Sequence, residues 1–145
     1  MADFEIIVGS VLGASEYVAD ALQEKLSEYQ LTSNIWLTPD LADLDKQSIW
    51  LVCTSTHGAG DLPDNIQPWV NQLKKIALDK VLFLVIGLGD SSYDTFCNGA
   101  RQIEETLTTQ GATLLTPALH IDVLHHPIPE VPAASWLDNW LQSRG

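Results

Sequence analysis

Three short segments gather most of the residues in this chain that could do chemistry. The first is Gly9-Ser10-Val11-Leu12-Gly13-Ala14-Ser15, which leads into a helical pattern. A helix start with free N–H groups is an anion site. Ser10 and Ser15 add hydroxyl donors, and Gly13 lets the backbone curl around a phosphate. The segment has neither G-x-G-x-x-G nor G-x-x-x-x-G-K-[ST], and no Lys or Arg stands beside it. A phosphate monoester therefore fits better than a dinucleotide or a triphosphate. The plain alternative is a strand-to-helix turn with a serine cap.

The second segment, Thr54-Ser55-Thr56-His57-Gly58-Ala59-Gly60, opens the loop "STHGAGDLPDN" at 55–65. Glycine there serves unusual dihedrals or close approach to a ligand. A lone histidine in such a loop is more often a capped or solvated residue than a functional one, and only its position favours a role for His57. The third segment runs from Gly87 to Asn98 and holds Gly89, Asp90, Tyr93, Phe96 and Cys97. Tyr93 offers a face on which a flat ring can stack. Its bland role is to cover a strand end, and Asp90 or Ser91 equally suits a helix cap. Cys97 has no evident base to activate it, and Cys53 lies inside an apolar run.

Apolar runs and helical patterns alternate around these segments. Strands are predicted over 3–9, 31–37, 48–54, 80–89 and 112–123, the last bent at Thr116–Pro117. Helices are predicted over 14–30, 65–78, 93–111 and 132–143. Pro68 and Pro132 suit first turns, and Gly111 suits a stop. Strict alternation predicts an α/β fold, a doubly wound parallel sheet with helices on both faces. In such sheets ligands bind beyond the carboxyl ends of the strands. All three segments fall at those ends.

The chain of 145 residues carries a net charge of −12. One domain spanning 1–145 is expected at this length. The charge argues against nucleic acid and suits partners with basic faces. No apolar run is long enough to span a membrane, and the N-terminus lacks the basic region of a signal peptide. Two cysteines without metal or redox spacing suit a reducing cytoplasm. His125 and His126 precede a proline-rich turn and have no third ligand nearby in sequence, so no metal is expected. The five tryptophans are expected in the core or in helix packing.

Together "GSVLGASEY", "STHGAGDLPDN" and "GLGDSSYDTFCN" resemble the phosphate loop and the two ring-clasping loops of flavodoxins. The resemblance covers essentially the whole chain and is nearest to short-chain flavodoxins of the MioC type. The stretch 112–123 lacks the long insertion of long-chain flavodoxins. The resemblance implies strand order 2-1-3-4-5 and bound FMN. It places Ser10, Val11, Leu12, Gly13, Ala14 and Ser15 around the phosphate. It places Thr54, Ser55, Thr56, His57, Gly58, Ala59 and Gly60 on one side of the ring, and Gly89, Asp90, Tyr93, Phe96 and Cys97 on the other. Tyr93 would stack on the outer face, and the Gly58 carbonyl would answer reduction of the ring. Two features depart from the common pattern. Val11 and Leu12 stand where flavodoxins commonly carry threonines, which leaves more of the phosphate to backbone amides, Ser10 and Ser15. His57 stands where many carry Trp or Tyr.

The implied role is a monomeric electron carrier rather than an enzyme with its own substrate. Its electrons would come from a flavodoxin/ferredoxin–NADP reductase and pass to an acceptor enzyme, with biotin synthesis a candidate destination. Three rivals remain: a phosphorylation-type receiver of the same fold, a quinone-reducing flavoenzyme and a flavin-free interaction module. A phosphorylation-type receiver would need acids where this chain has Gly9-Ser10 and Thr54-Ser55.

Overall fold

A computed structural model of the chain describes residues 2–10, 13–56 and 60–144. The strands are β1 (Phe4–Gly9), β2 (Ser33–Trp36), β3 (Ile49–Ser55), β4 (Leu82–Gly89), β5 (Thr113–Leu114) and β6 (Leu119–Asp122). The helices are α1 (Ala14–Glu28), α2 (Gln67–Leu73), α3 (Asn98–Thr109) and α4 (Glu130–Arg144). A 3-10 turn, Leu41–Asp43, lies between β2 and β3. The sheet is parallel in the order β2-β1-β3-β4-β5, with β6 also on β4.

The central strands are largely apolar because both faces are covered, with Glu5 of β1 and Thr54 and Ser55 at the end of β3 as exceptions, and their alternation assigns each side chain a layer. Phe4, Ile6, Val8, Leu51, Cys53, Leu84 and Ile86 face Val18, Leu22 and Leu26 of α1 and Ala133, Leu137 and Leu141 of α4. Ile7, Trp50, Val52, Phe83 and Val85 face Trp69, Val70 and Leu73 of α2 and Ile103 and Leu107 of α3. Glu5 falls on this second face. It is buried, and its carboxylate accepts from the Asn34 side chain at 3.0 Å and the Asp45 amide at 3.1 Å. The tryptophans expected inside are there: Trp50 and Trp69 are fully buried, and Trp36, Trp136 and Trp140 pack against the clusters.

Three expected elements change. The predicted helix at 93–111 begins only at Asn98, because residues 90–97 fold as successive turns, with Tyr93 N–H on the Asp90 carbonyl and Phe96 N–H on the Tyr93 carbonyl. The predicted helix at 65–78 is the shorter Gln67–Leu73. The last predicted strand is two pieces. Thr113 and Leu114 pair with Leu82 and Phe83, and Leu119 resumes opposite Ile86. Leu84 and Val85 on β4 thus stand against the four residues from Leu115 to Ala118, a detour that contains Pro117, which has no N–H to give a ladder.

From β1 the chain moves one way to β2 and then returns past β1 to β3. The connections after β1 and β3 therefore diverge and leave a crevice at the carboxyl edge.

Candidate functional site

A cleft of about 530 Å³ opens at that edge, lined by Thr56, Gly89, Asp90, Tyr93, Thr95, Phe96 and Cys97. Its volume is that of a small-molecule site. The loop after β4 builds one wall. Asp90 does not cap α3: its carboxylate accepts from the Ser92 amide at 2.9 Å and the Ser92 hydroxyl at 2.5 Å, closing a tight turn that presents Tyr93. The residue before α3 is Cys97, in the left-handed region at φ 54 and with no side-chain cap. Tyr93 is 63 % exposed at the lip of the cleft, a large aromatic face with little protein against it. Phe96 is half-buried, and its ring meets the His120 ring edge-on at 6.3 Å. From β6, Asp122 accepts from the Ser91 amide at 3.3 Å, and Val123 N–H donates to the Gly89 carbonyl at 2.9 Å. β6 thus braces the loop from behind.

The opposite wall is fastened to α3. Thr56 Oγ1 accepts from Gly99 N–H at 3.0 Å. The side-chain amides of Asn98 and Gln102 both donate to the Gly60 carbonyl at 2.7 Å. Gly60 has φ +106, where a β-carbon is strained, and that β-carbon would also stand 2.9 Å from Asn98 Nδ2. Thr54 is buried with its hydroxyl on the Ser55 carbonyl at 2.9 Å, and the Ser55 hydroxyl reaches the Gly9 carbonyl at 3.4 Å. His57, Gly58 and Ala59 lie outside the described residues, as do Val11 and Leu12 of the first loop.

At the first loop Ser10 is held twice. Its N–H donates to Asn65 Oδ1 at 3.1 Å, and its Oγ accepts from Gly13 N–H at 2.9 Å, which leaves the hydroxyl proton free to donate. Gly13 precedes α1 in the left-handed region at φ 91, and the cap expected of a serine is absent from that helix. Ala14 and Ser15 open the helix, where the first N–H groups have no intrahelical acceptor. Ser15 is buried, and its Oγ has no partner among the described residues. An unpaired buried hydroxyl beside first-turn amides is the donor set a phosphate needs, so these residues fit a phosphate-bearing ring compound with Tyr93 and Phe96 at its ring.

The thiols are held protonated. Burial pushes the Cys97 thiol up to about 11 despite Arg101 nearby, and pushes Cys53 to about 12. Neither is a nucleophile at neutral pH. Burial, with Arg101 behind it, lowers the pKa of His120, against a smaller opposite pull from Glu104. Hydrogen bonding from Ser91, with the Leu124 and Ser91 amides behind it, holds the Asp122 carboxyl below its ordinary range. No cluster of metal-ligating side chains occurs among the described residues, and no helix among them is long and apolar enough to cross a membrane.

Basic charge is segregated. Lys25, Lys46, Lys74, Lys75, Lys80 and Arg144 sit near helix ends or strand starts, at the edge away from the cleft. Arg101 is the exception, in the first turn of α3. Asp61, Asp64, Asp90 and Asp94 occupy the carboxyl-end loops, and Asp122 ends β6 beside them.

Asn65, Thr95, Asn98, Gln102, His120 and Asp122 escaped the sequence reading as site residues. Asn65 and Asn98 sit next to helix starts, where an amide reads as an ordinary local cap. Their actual partners are 55 and 38 residues away, and spacing along the chain carries no sign of that.

The sequence matches the flavodoxin family over residues 6–136. Protein MioC of Escherichia coli (strain K12) is 46 % identical over 143 residues, covering 97 % of each chain. Flavodoxin YqcA of the same strain is 37 % identical over 144 residues, again 97 % of each. Among solved structures, a cysteine-to-serine mutant of flavodoxin from Pseudomonas aeruginosa superposes with a TM-score of 0.86 at 36 % identity, covering 94 % of this chain and 95 % of that one. With the 2-1-3-4-5 sheet, an edge strand interrupted by only four residues and loops of matching chemistry at the switch point, the chain belongs to the flavodoxin family, as a short-chain member of the MioC type.

Proposed function

We propose that the chain is a single-domain carrier of electrons that binds FMN in the cleft between the loops after β1, β3 and β4. The observation that carries this reading is one juxtaposition. An exposed Tyr93 and a half-buried Phe96 border a cleft of about 530 Å³, while the unpaired hydroxyl of Ser15 lies in the first turn of α1 and the anchored hydroxyl of Ser10 is tied to Gly13 just ahead of it. FMN, when bound, supplies exchange of one or two electrons. The protein's part is to bind, orient and shield. Ser10, Ser15 and the α1 amides from Ala14 onward hold the phosphate, with the amides of Val11 and Leu12 as further donors and Gly13, its N–H on Ser10 Oγ, turning the loop into the helix. Tyr93 covers the outer face of the ring. Gly89, Asp90, Phe96 and Cys97 border one edge, and Thr54 to Gly60 border the other. Cys97, held neutral by burial, packs there without reacting.

The acidic loops around the cleft direct encounters toward partners with basic faces, since like charge at a contact is costly and opposite charge speeds docking. A flavodoxin/ferredoxin–NADP reductase as donor, an acceptor redox enzyme (that of biotin synthesis is one candidate), a monomeric state and a cytoplasmic setting complete the proposal. The test is reconstitution of flavin-free protein with FMN and with riboflavin, followed by calorimetry and visible spectroscopy. Tight FMN binding, with weaker riboflavin binding, is the expected result. Absence of flavin binding would leave the interaction module as the reading. Direct reduction of a quinone by the FMN-loaded protein, without an acceptor protein, would favour the enzyme.

A further inference from the structure

We propose that Asn65 is a positioning residue for the phosphate-binding loop, acting through Ser10; this rests on the FMN reading above. The Asn65 side chain makes three bonds that no neighbour in sequence explains. Its Oδ1 accepts from Ser10 N–H at 3.1 Å. Its Nδ2 donates to the Val8 carbonyl at 2.6 Å and to the Leu37 carbonyl at 2.7 Å. The one amide thus ties the last turn of the loop after β3 to the end of β1, to the chain leaving β2 and to the first residue of the phosphate loop. Only a side chain with an acceptor and two donors can do this, so Asn suits the position where Asp or Ser does not.

The bond to Ser10 decides how the loop meets its ligand. It fixes the peptide that carries Ser10 and directs that N–H away from any anion. Ser10 Oγ is held in turn by Gly13 N–H at 2.9 Å, which narrows the directions in which its hydroxyl can donate. Without Asn65, Ser10 N–H has no acceptor, the two carbonyls lose their donor, and the hydroxyl loses its aim. The ring cleft, whose walls are fastened through Asn98, Gln102 and Gly99, keeps its own bonds.

The experiment compares the parent with Asn65→Ala. Dissociation constants for FMN and for riboflavin are measured by calorimetry, and amide hydrogen exchange of Ser10 and Gly13 is measured in the flavin-free proteins. Loss of an aligned hydrogen-bond anchor should weaken FMN binding about tenfold more than riboflavin binding, and Ser10 N–H should exchange about tenfold faster. A merely structural role would lower both affinities alike and leave their ratio unchanged, which overturns the proposal. Unchanged exchange at Ser10 overturns it too. If Asn65→Ala does not fold, Asn65→Asp takes its place. It keeps an acceptor for Ser10 N–H but loses both donations to the Val8 and Leu37 carbonyls, so the FMN-to-riboflavin preference must fall even at high salt, where the added charge is screened, and a fall that salt abolishes overturns the proposal. A parent that binds neither flavin refutes the cofactor reading itself. A parent that prefers FMN, with variants that share the preference, refutes only the role of Asn65.

Discussion

Gly99→Ala isolates the contact between α3 and the wall of the cleft. A β-carbon on Gly99 would lie 2.8 Å from the Ser55 carbonyl oxygen and 3.2 Å from Thr56 Oγ1. The nearer atom is backbone at the end of β3, where Ser55 pairs with Leu88 of β4, so it cannot swing away as a side-chain tip would. Two effects oppose one another. Alanine in place of glycine in a helix is favourable by about 0.5–1 kcal/mol, less near the helix start, where Gly99 stands. Forcing a methyl into a packed site costs about 1–3 kcal/mol. Shifting α3 also strains the 3.0 Å bond from Gly99 N–H to Thr56, which contributes roughly 1 kcal/mol. The unfavourable terms win, and the expected net loss of stability is about 1–3 kcal/mol. Urea unfolding of the flavin-free protein measures it as a lower midpoint at unchanged slope. Because the strain falls on the ring side of the cleft, affinities for FMN and riboflavin should drop together. An alanine protein as stable as the parent would refute the account of why glycine stands there.

Tyr93→Ala removes the exposed face at the cleft and should weaken binding of both flavins by about 1–3 kcal/mol, the scale of stacking on an aromatic; an unchanged fluorescence titration would remove Tyr93 from the site. Ser10→Ala and Ser15→Ala should erode the preference for FMN over riboflavin and leave the spectrum of the bound ring nearly as it was, whereas equal losses for both ligands would contradict the phosphate assignment. His120 has a folded-state pKa below its ordinary 6.5, so between the two values the unfolded chain binds more protons and stability rises with pH. Its contribution is therefore complete above that ordinary value and is lost as pH falls through the window beneath it. In His120→Gln the drop in urea midpoint between about pH 7.5 and 5.5 should shrink, and an unchanged drop would clear His120 of responsibility.

The fold was legible because both faces of the sheet are covered. Leu82–Gly89 is unbroken in apolarity and Phe4–Gly9 is broken only by Glu5, which marks buried parallel strands, and the segments at their carboxyl ends marked the crevice. The elements misjudged were those whose form is set by contacts rather than by period. Residues 93–97 carry a helix-like pattern, yet Asp90 turns the chain there and Cys97 takes a left-handed conformation before α3 begins. Thr113–Asp122 read as one strand, and only pairing with β4 shows the gap within it. At the site, hydroxyls and Tyr93 stood out by residue type. The amides that fasten the loops did not, since Asn65, Asn98 and Gln102 act on backbone atoms far away in sequence.

The interruption between β5 and β6 has a use in protein engineering. On either side of it the chain is fixed to β4: Leu115 N–H reaches the Phe83 carbonyl at 3.0 Å, and Leu119 pairs opposite Ile86. Residues 116–118 already leave the ladder, so added sequence there lengthens an existing excursion and shifts no register. Loop closure grows slowly with length, by about 0.6 kcal/mol for each doubling. A tag, a fluorescent reporter or a tether to a second redox module could be grafted at Thr116–Ala118, while β6 continues to brace the cleft through Asp122 and Val123.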